Sequence, residues 1–184
     1  MNFIIRNAEV FDGTGSDAQA NTDVWVRDGQ IAAVGPEIDA PDAEVIDATG
    51  LSLMPGIIDT HTHFDAQVTW DPTVRPSPAL GVTTVVMGNC GFTIAPCKEA
   101  DREIVMKNLT QVEGMSLDAL RDGIDWGFET FPDYVAMLAK KGTVPNVACF
   151  LGHSSIRTYV MGAAATERAA TPDEVKQMCD IVEA

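Results

Sequence analysis

Three short apolar runs do most to fix what this 184-residue chain can fold into. Gly56-Ile57-Ile58-Asp59-Thr60, the stretch from Gly81 to Met87 and Asn146-Val147-Ala148-Cys149-Phe150-Leu151 are rich in apolar and β-branched residues, and none alternates apolar with polar. Successive side chains of a strand point to opposite faces, so a strand with one wet face alternates, whereas one that does not is expected to be buried on both faces, as in parallel sheets. Parallel neighbours cannot be joined by a tight turn and need a crossover, usually a helix. Helical segments do fall in the gaps: Ala100 to Leu109, Ser116 to Arg121, and Thr130 to Lys141. The last has Tyr134, Met137, Leu138 and Lys141 at helical spacing and Gly142 just past its end. Strand alternating with helix predicts an α/β fold with a parallel sheet or barrel.

The first fifty residues have a different texture. Phe3 to Phe11 closes at Asp12-Gly13, and Val24 to Arg27, Asp28-Gly29 and Gln30 to Gly35 form a β-hairpin pattern, because Asp-Gly tolerates the positive φ of tight hairpin turns. Glu44 to Ile46 and Leu51 to Met54 add two short runs. The expected organisation is a small all-β domain over residues 1–54, sandwich-like in character, followed by βα units over residues 55–184. At the other end, Thr171-Pro172-Asp173-Glu174 reads as a helix start, with Thr as N-cap and Pro at the first helical position. Val175, Met178, Cys179 and Val182 continue it as an apolar stripe. The stripe runs to Ala184 with no glycine or basic residue to end it, so the sequence is expected to stop inside a helix and to be an incomplete fold.

Composition removes several classes of function. Lys and Arg number 12 against 27 Asp and Glu, a formal charge of −15. That balance repels phosphate backbones and anionic headgroups, which argues against nucleic acid or a membrane surface as partner. No stretch of about 18 apolar residues is present to cross a bilayer. Cys90, Cys97, Cys149 and Cys179 form no CxxC pair, the pattern of reduced thiols in a cytoplasmic protein. Unpaired sheet edges would allow a homo-oligomer.

The residues that carry chemistry sit at the ends of the apolar runs. His61 and His63 are two apart at the end of the first, so on a strand both imidazoles point the same way and can converge on a metal ion. Asp59 and Asp65 bracket them, either as carboxylates that orient a ligating histidine or as turn residues. Cys90 ends the second run in Gly88-Asn89-Cys90-Gly91, and its thiolate is a good soft ligand for zinc. The three other cysteines read as core. His153 follows the third run in Gly152-His153-Ser154-Ser155, where it either touches substrate or bonds within a loop. Glu113, Asp118, Asp122 and Asp125 read as a solvated face. The lysines, Lys98, Lys107, Lys140, Lys141 and Lys176, all fall in helical segments or their flanks, so none is placed to bridge two metals at a strand end.

Read together, these motifs resemble a known group. Pro55 to Asp65, with His61-Thr62-His63 inside it, is similar to the first barrel strand of the amidohydrolase superfamily. Trp70-Asp71-Pro72, Gly81 to Val86, Gly88-Asn89-Cys90-Gly91-Phe92-Thr93-Ile94-Ala95-Pro96 and Val112-Glu113-Gly114-Met115 resemble the N-acyl-D-amino-acid deacylase (D-aminoacylase) family. The resemblance implies a TIM-type (β/α)8 barrel, of which about three strands are present, with one or two zinc ions at its mouth. His61, His63 and Cys90 match the family's metal ligands, with Cys90 able to bridge two ions where related dihydroorotase-like and hydantoinase-like enzymes use lysine. It also implies hydrolysis of the amide bond of a small-molecule N-acyl-D-amino acid. The further ligands and the aspartate that moves the proton are expected beyond Ala184. A barrel needs about 250 residues, so this portion alone is expected to be inactive. The alternatives are a cyclic-amide amidohydrolase and a non-catalytic β or assembly module.

Overall fold

In the computed structural model, which describes residues 1–184, the chain divides into two units, Met1–Pro55 and Gly56–Ala184. The first is built from β1 (Asn2–Val10), β2 (Gln19–Arg27), β3 (Gln30–Gly35), β4 (Glu44–Asp47) and β5 (Ser52–Leu53). They form one sheet in the order β3-β2-β1-β4, with β5 also paired to β1. The β1–β2 and β2–β3 pairs are antiparallel, whereas β4 and β5 run parallel to β1. Asp28 and Gly29 make the β2–β3 turn with φ of 54° and 78°, the positive values that a hairpin turn needs to match the twist of its strands.

Ala8, Val10, Val24 and Ala48 form the core of this unit, with Ile5, Val26 and Leu53 packed against it. A buried carboxylate must be paired, and Asp23 is: it takes Nη1 of Arg6 at 2.6 Å and the backbone N–H groups of Asn7 and Ile38 at 3.1 and 3.2 Å. Five short strands supply only one layer, so Ile31, Val34, Val45 and Leu51 remain exposed on Met1–Pro55.

The second unit holds β6 (Ile57–Thr62), β7 (Val82–Met87) and β8 (Asn146–Cys149) in a parallel sheet of that order. Five α-helices accompany it: α1 (Arg102–Glu113), α2 (Leu117–Gly123), α3 (Phe131–Lys141), α4 (His153–Met161) and α5 (Pro172–Glu183). The core joins Met87 of β7, the segment bearing Ala66, Val68 and Val74, α1 through Val105, Met106 and Leu109, and α3 through Tyr134 and Leu138. Thr130 and Thr171 cap α3 and α5 in reciprocal capping boxes with Asp133 and Glu174. No helix is long and apolar enough to cross a membrane.

Three expectations need correction. The strands of the parallel sheet are not buried on both faces: Ile57 and Ile58 of β6 are exposed, as is Phe150 just past β8. Cys179 is exposed rather than core, since the apolar stripe of α5 lies at the surface and the helix has no buried residue. The segment after Gly152 is a helix, not a loop. Ser154 and Ser155 resemble turn residues, yet Gly152 is an extended N-cap and Ser155, Ile156 and Thr158 are buried on the inner face of α4.

Candidate metal centre

The site forms where β6 and β7 end side by side. Thr62, the last residue of β6, is buried and its hydroxyl donates to the Val86 carbonyl at 2.9 Å. With Thr62 turned in, strand alternation sends its neighbours, His61 and His63, the other way. Their rings stack loosely, with centroids 5.3 Å apart and planes 31° from parallel. A second tie crosses between the strands, as the Asn89 side-chain amide donates to the Thr60 carbonyl at 2.9 Å. The Cys90 loop is thus fastened to the strand that carries the histidines.

The loop itself depends on its glycines. Gly88 has φ of 81°, and a Cβ there would lie 2.7 Å from the Phe150 carbonyl oxygen. Gly152 packs against the other side of the loop, where a Cβ would meet the Gly91 carbonyl oxygen at 2.7 Å. Held between these contacts, the Cys90 sulfur accepts the Phe92 backbone N–H at 3.4 Å and lies 3.7 Å from Nδ1 of His63.

His61, His63 and Cys90 consequently offer one ligand atom each, all within 4.8 Å of one another. Tetrahedral zinc, with bonds of about 2.0–2.3 Å, holds its donors roughly 3.3–3.8 Å apart, so small side-chain rotations close the set on an ion. Two imidazoles and a thiol are also the donor types that zinc selects. An orphaned charge makes the same point. The Glu113 side chain is 5% exposed, its Oε1 lies 3.5 Å from Nδ1 of His63, and neither carboxylate oxygen has a hydrogen-bond partner. The carboxyl thus faces the same imidazole as the thiol, and the donor set fits a divalent cation.

The other predicted residues separate. Asp59 is half-buried and accepts the backbone N–H of His61 at 3.3 Å. Asp65 turns into the core, 2% exposed, with Oδ2 unpartnered and its backbone carbonyl accepting the Tyr134 hydroxyl at 2.9 Å. Burial pushes the Asp65 carboxyl up to about 7, with the Glu113 charge adding to the rise, and burial alone pushes Glu113 up to about 7. His153 is exposed at the first residue of α4 and is not among the clustered donors. Burial pushes the Cys97 and Cys149 thiols up to about 12, which leaves them as protonated packing groups.

Glu113 is the residue that sequence reasoning misplaced. Expected on a solvated face, it is the last residue of α1 and nearly enclosed. The signal was present: Met106, Leu109 and Glu113 stand at i, i+3 and i+7, one face of a helix, and the first two are core. An acid on that face is a carboxylate aimed inward.

The chain as a whole is similar to known proteins. The sequence over residues 44–183 matches the model of the amidohydrolase family. An N-acyl-D-aspartate deacylase of Alcaligenes xylosoxydans xylosoxydans is 41% identical over 172 residues, which is 94% of this chain and 32% of that protein. Among solved structures, a D-aminoacylase with a binuclear metal centre superposes with a TM-score of 0.79 at 36% identity, covering 97% of this chain and 35% of that one. An N-acyl-D-glutamate deacylase from Bordetella bronchiseptica, complexed with zinc and a phosphonate inhibitor, superposes with a TM-score of 0.77 at 31% identity, covering 100% and 35%. The chain spans about a third of the length of these relatives. With the family model matching most of its residues, the chain belongs to the amidohydrolase family.

Proposed function

We propose that this chain is part of a zinc-dependent hydrolase that cleaves the amide bond of small N-acyl-D-amino acids. The observation that carries the reading is the convergence of His61, His63 and Cys90 at the ends of two adjacent parallel strands, in a chain so similar to N-acyl-D-aspartate and N-acyl-D-glutamate deacylases. On this reading β6, β7 and β8 are the first strands of a (β/α)8 barrel, with residues 55–184 carrying them. Residues 1–54 form a separate β domain, whose exposed apolar residues suit one layer of a composite sandwich. Parallel-sheet enzymes collect their chemistry at the C-terminal strand ends, which is where the donors lie. The free cysteines fit a reducing, cytoplasmic setting.

His61, His63 and Cys90 would hold zinc, as one or two ions. Bound there, zinc supplies an activated water and a polarised scissile carbonyl. The chain's own residues do the positioning. Thr62 and Asn89 lock the two strand ends together so that imidazoles and thiolate meet in one place. The Phe92 N–H, donated to the Cys90 sulfur, fixes where that sulfur stands. Asp59 holds the His61 backbone.

The test is turnover by the full-length protein, with and without zinc, of N-acetyl-D-aspartate, N-acetyl-D-glutamate and N-acetyl-D-leucine beside their L-enantiomers. Zinc-dependent release of a D-amino acid is expected. Turnover of dihydroorotate or hydantoins with none of acyl-D-amino acids would overturn the substrate class, and a full-length protein that binds no zinc would overturn the centre.

A further inference from the structure

We infer that Glu113 is a positioning residue of the metal centre: its buried carboxylate orients His63 and supplies the negative charge that, with the Cys90 thiolate, neutralises a divalent ion. The inference rests on the proposed reading of His61, His63 and Cys90 as ligands.

The geometry starts from α1. Its buried face carries Val105, Met106 and Leu109 into the core and, one turn on, delivers Glu113 beside His63. Gly114 takes a left-handed conformation immediately after and ends the helix there. Glu113 Oε1 stops 3.5 Å from Nδ1 of His63, and Cys90 Sγ lies 3.7 Å from the same nitrogen. The acid and the thiol thus approach the same ring nitrogen of His63.

Burying a carboxylate without a partner costs several kcal/mol, so such groups are paired or face a cation. Glu113 has neither a hydrogen bond nor a basic side chain of the ordinary kind; its one charged neighbour is an imidazole. A carboxylate that accepts the free N–H of a ligating histidine fixes its tautomer and ring orientation and raises its basicity, and loss of such a partner typically weakens metal binding 10- to 100-fold. Asp59 and Asp65 were the sequence candidates for that role. Asp59 is occupied by the His61 backbone, and Asp65 faces the core beside Tyr134, which leaves Glu113.

The experiment measures zinc affinity of the full-length protein by competition with a chromophoric chelator, the cobalt-substituted absorption spectrum, and thermal unfolding of the metal-free protein. Glu113→Gln and Glu113→Met, both close in volume to glutamate, are compared with Cys90→Ala. The expected result is zinc binding 10- to 100-fold weaker in both Glu113 variants. Their cobalt–thiolate band should persist, since Cys90 still binds, and their metal-free unfolding temperature should equal or exceed that of the parent. Parental zinc affinity in both Glu113 variants, with metal lost in Cys90→Ala, overturns the role of Glu113 and leaves the centre standing. A metal-free unfolding temperature that falls in both Glu113 variants marks a packing role and overturns the inference as well. Parental affinity in Cys90→Ala overturns the centre itself.

Discussion

The Cys90 loop can be tested through its glycines, because the structure separates two kinds of cost. Gly91 has φ of 86° with nothing within 4 Å of where a Cβ would stand, so Gly91→Ala incurs only the left-handed backbone penalty, about 1–2 kcal/mol. Gly152 has an ordinary φ of −72°. A Cβ there would nevertheless lie 2.6 Å from Thr93 Oγ1 and 2.7 Å from the Gly91 carbonyl oxygen. Thr93 is buried and its hydroxyl is committed to Ser155 and the Ala95 carbonyl, so neither contact yields freely. Overpacking of this kind costs about 1–3 kcal/mol.

Gly88 combines both terms, with φ of 81° and a Cβ position 2.7 Å from both the Phe150 carbonyl oxygen and Thr93 Cγ2. Gly88→Ala should therefore cost roughly the sum, about 2–5 kcal/mol, a large share of the 5–15 kcal/mol stability of an ordinary domain. Urea unfolding followed by circular dichroism of the metal-free protein should rank the variants Gly88→Ala worst and Gly91→Ala or Gly152→Ala milder. Zinc affinity should fall in Gly152→Ala as well, since relief of its clash moves the Gly91 backbone next to Cys90. Equal stability losses at Gly88 and Gly91 would show that the close approach to Phe150 does not exist, and a neutral Gly152→Ala would refute the packing of the loop altogether.

Other outcomes follow from single contacts. Cys90→Ala should lose metal and activity together, whereas Cys149→Ala should keep zinc, read by metal analysis, and cost only about 1 kcal/mol of stability. Tyr134→Phe removes the hydroxyl that donates to the buried Asp65 carbonyl and should cost about 1–3 kcal/mol in denaturant unfolding. Glu174 is held down to about 2 by Arg168 and by its capping contacts with Thr171, from an ordinary value of 4.5. A carboxylate with a depressed folded pKa stabilises above its unfolded pKa and loses that contribution as pH falls through the folded one. Helicity of α5 in the parent should thus decline between about pH 4.5 and 2, a component that Glu174→Gln lacks; identical acid titrations of the two proteins would count against the capping box.

Legibility in the sequence tracked how local each cause is. The strands β6 and β7 and the N-cap of α5 were readable because β-branched runs bounded by glycine and the Thr171-Pro172-Asp173-Glu174 pattern act within a few residues. His61, His63 and Cys90 were readable as a candidate set because strand spacing and strand ends place them with no knowledge of the rest. The failures all concern what a face packs against. Cys179 stands on an apolar stripe of α5 that lies at the surface. Gly152-His153-Ser154-Ser155 reads as a loop, whereas Ser155 lies in α4 and bonds to Thr93, 62 residues away in sequence. Asp65 and Glu113 lie 48 positions apart in sequence, yet the charge of one raises the pKa of the other, a relation set by how α1 docks rather than by any window of sequence.

The placement of acids then distinguishes two uses of negative charge in a chain carrying −15. Where a buried acid serves the fold it is fully paired: Asp23 meets Arg6 and two backbone N–H groups, and it would be difficult to replace without unfolding β1 and β2. Asp65 and Glu113 are as enclosed but hold unpartnered oxygens, an arrangement that lowers stability and that folding alone would select against. Removing a carboxylate should consequently act in opposite directions at the two places. Asp23→Asn removes the anion from the part-exposed Arg6 guanidinium and should destabilise by about 1–3 kcal/mol, whereas Glu113→Gln keeps the side-chain shape and should leave the metal-free protein no less stable. A comparison of the two in one denaturant series decides whether Glu113 serves the fold or the proposed metal centre, and a Glu113→Gln loss as large as that of Asp23→Asn would assign it to the fold.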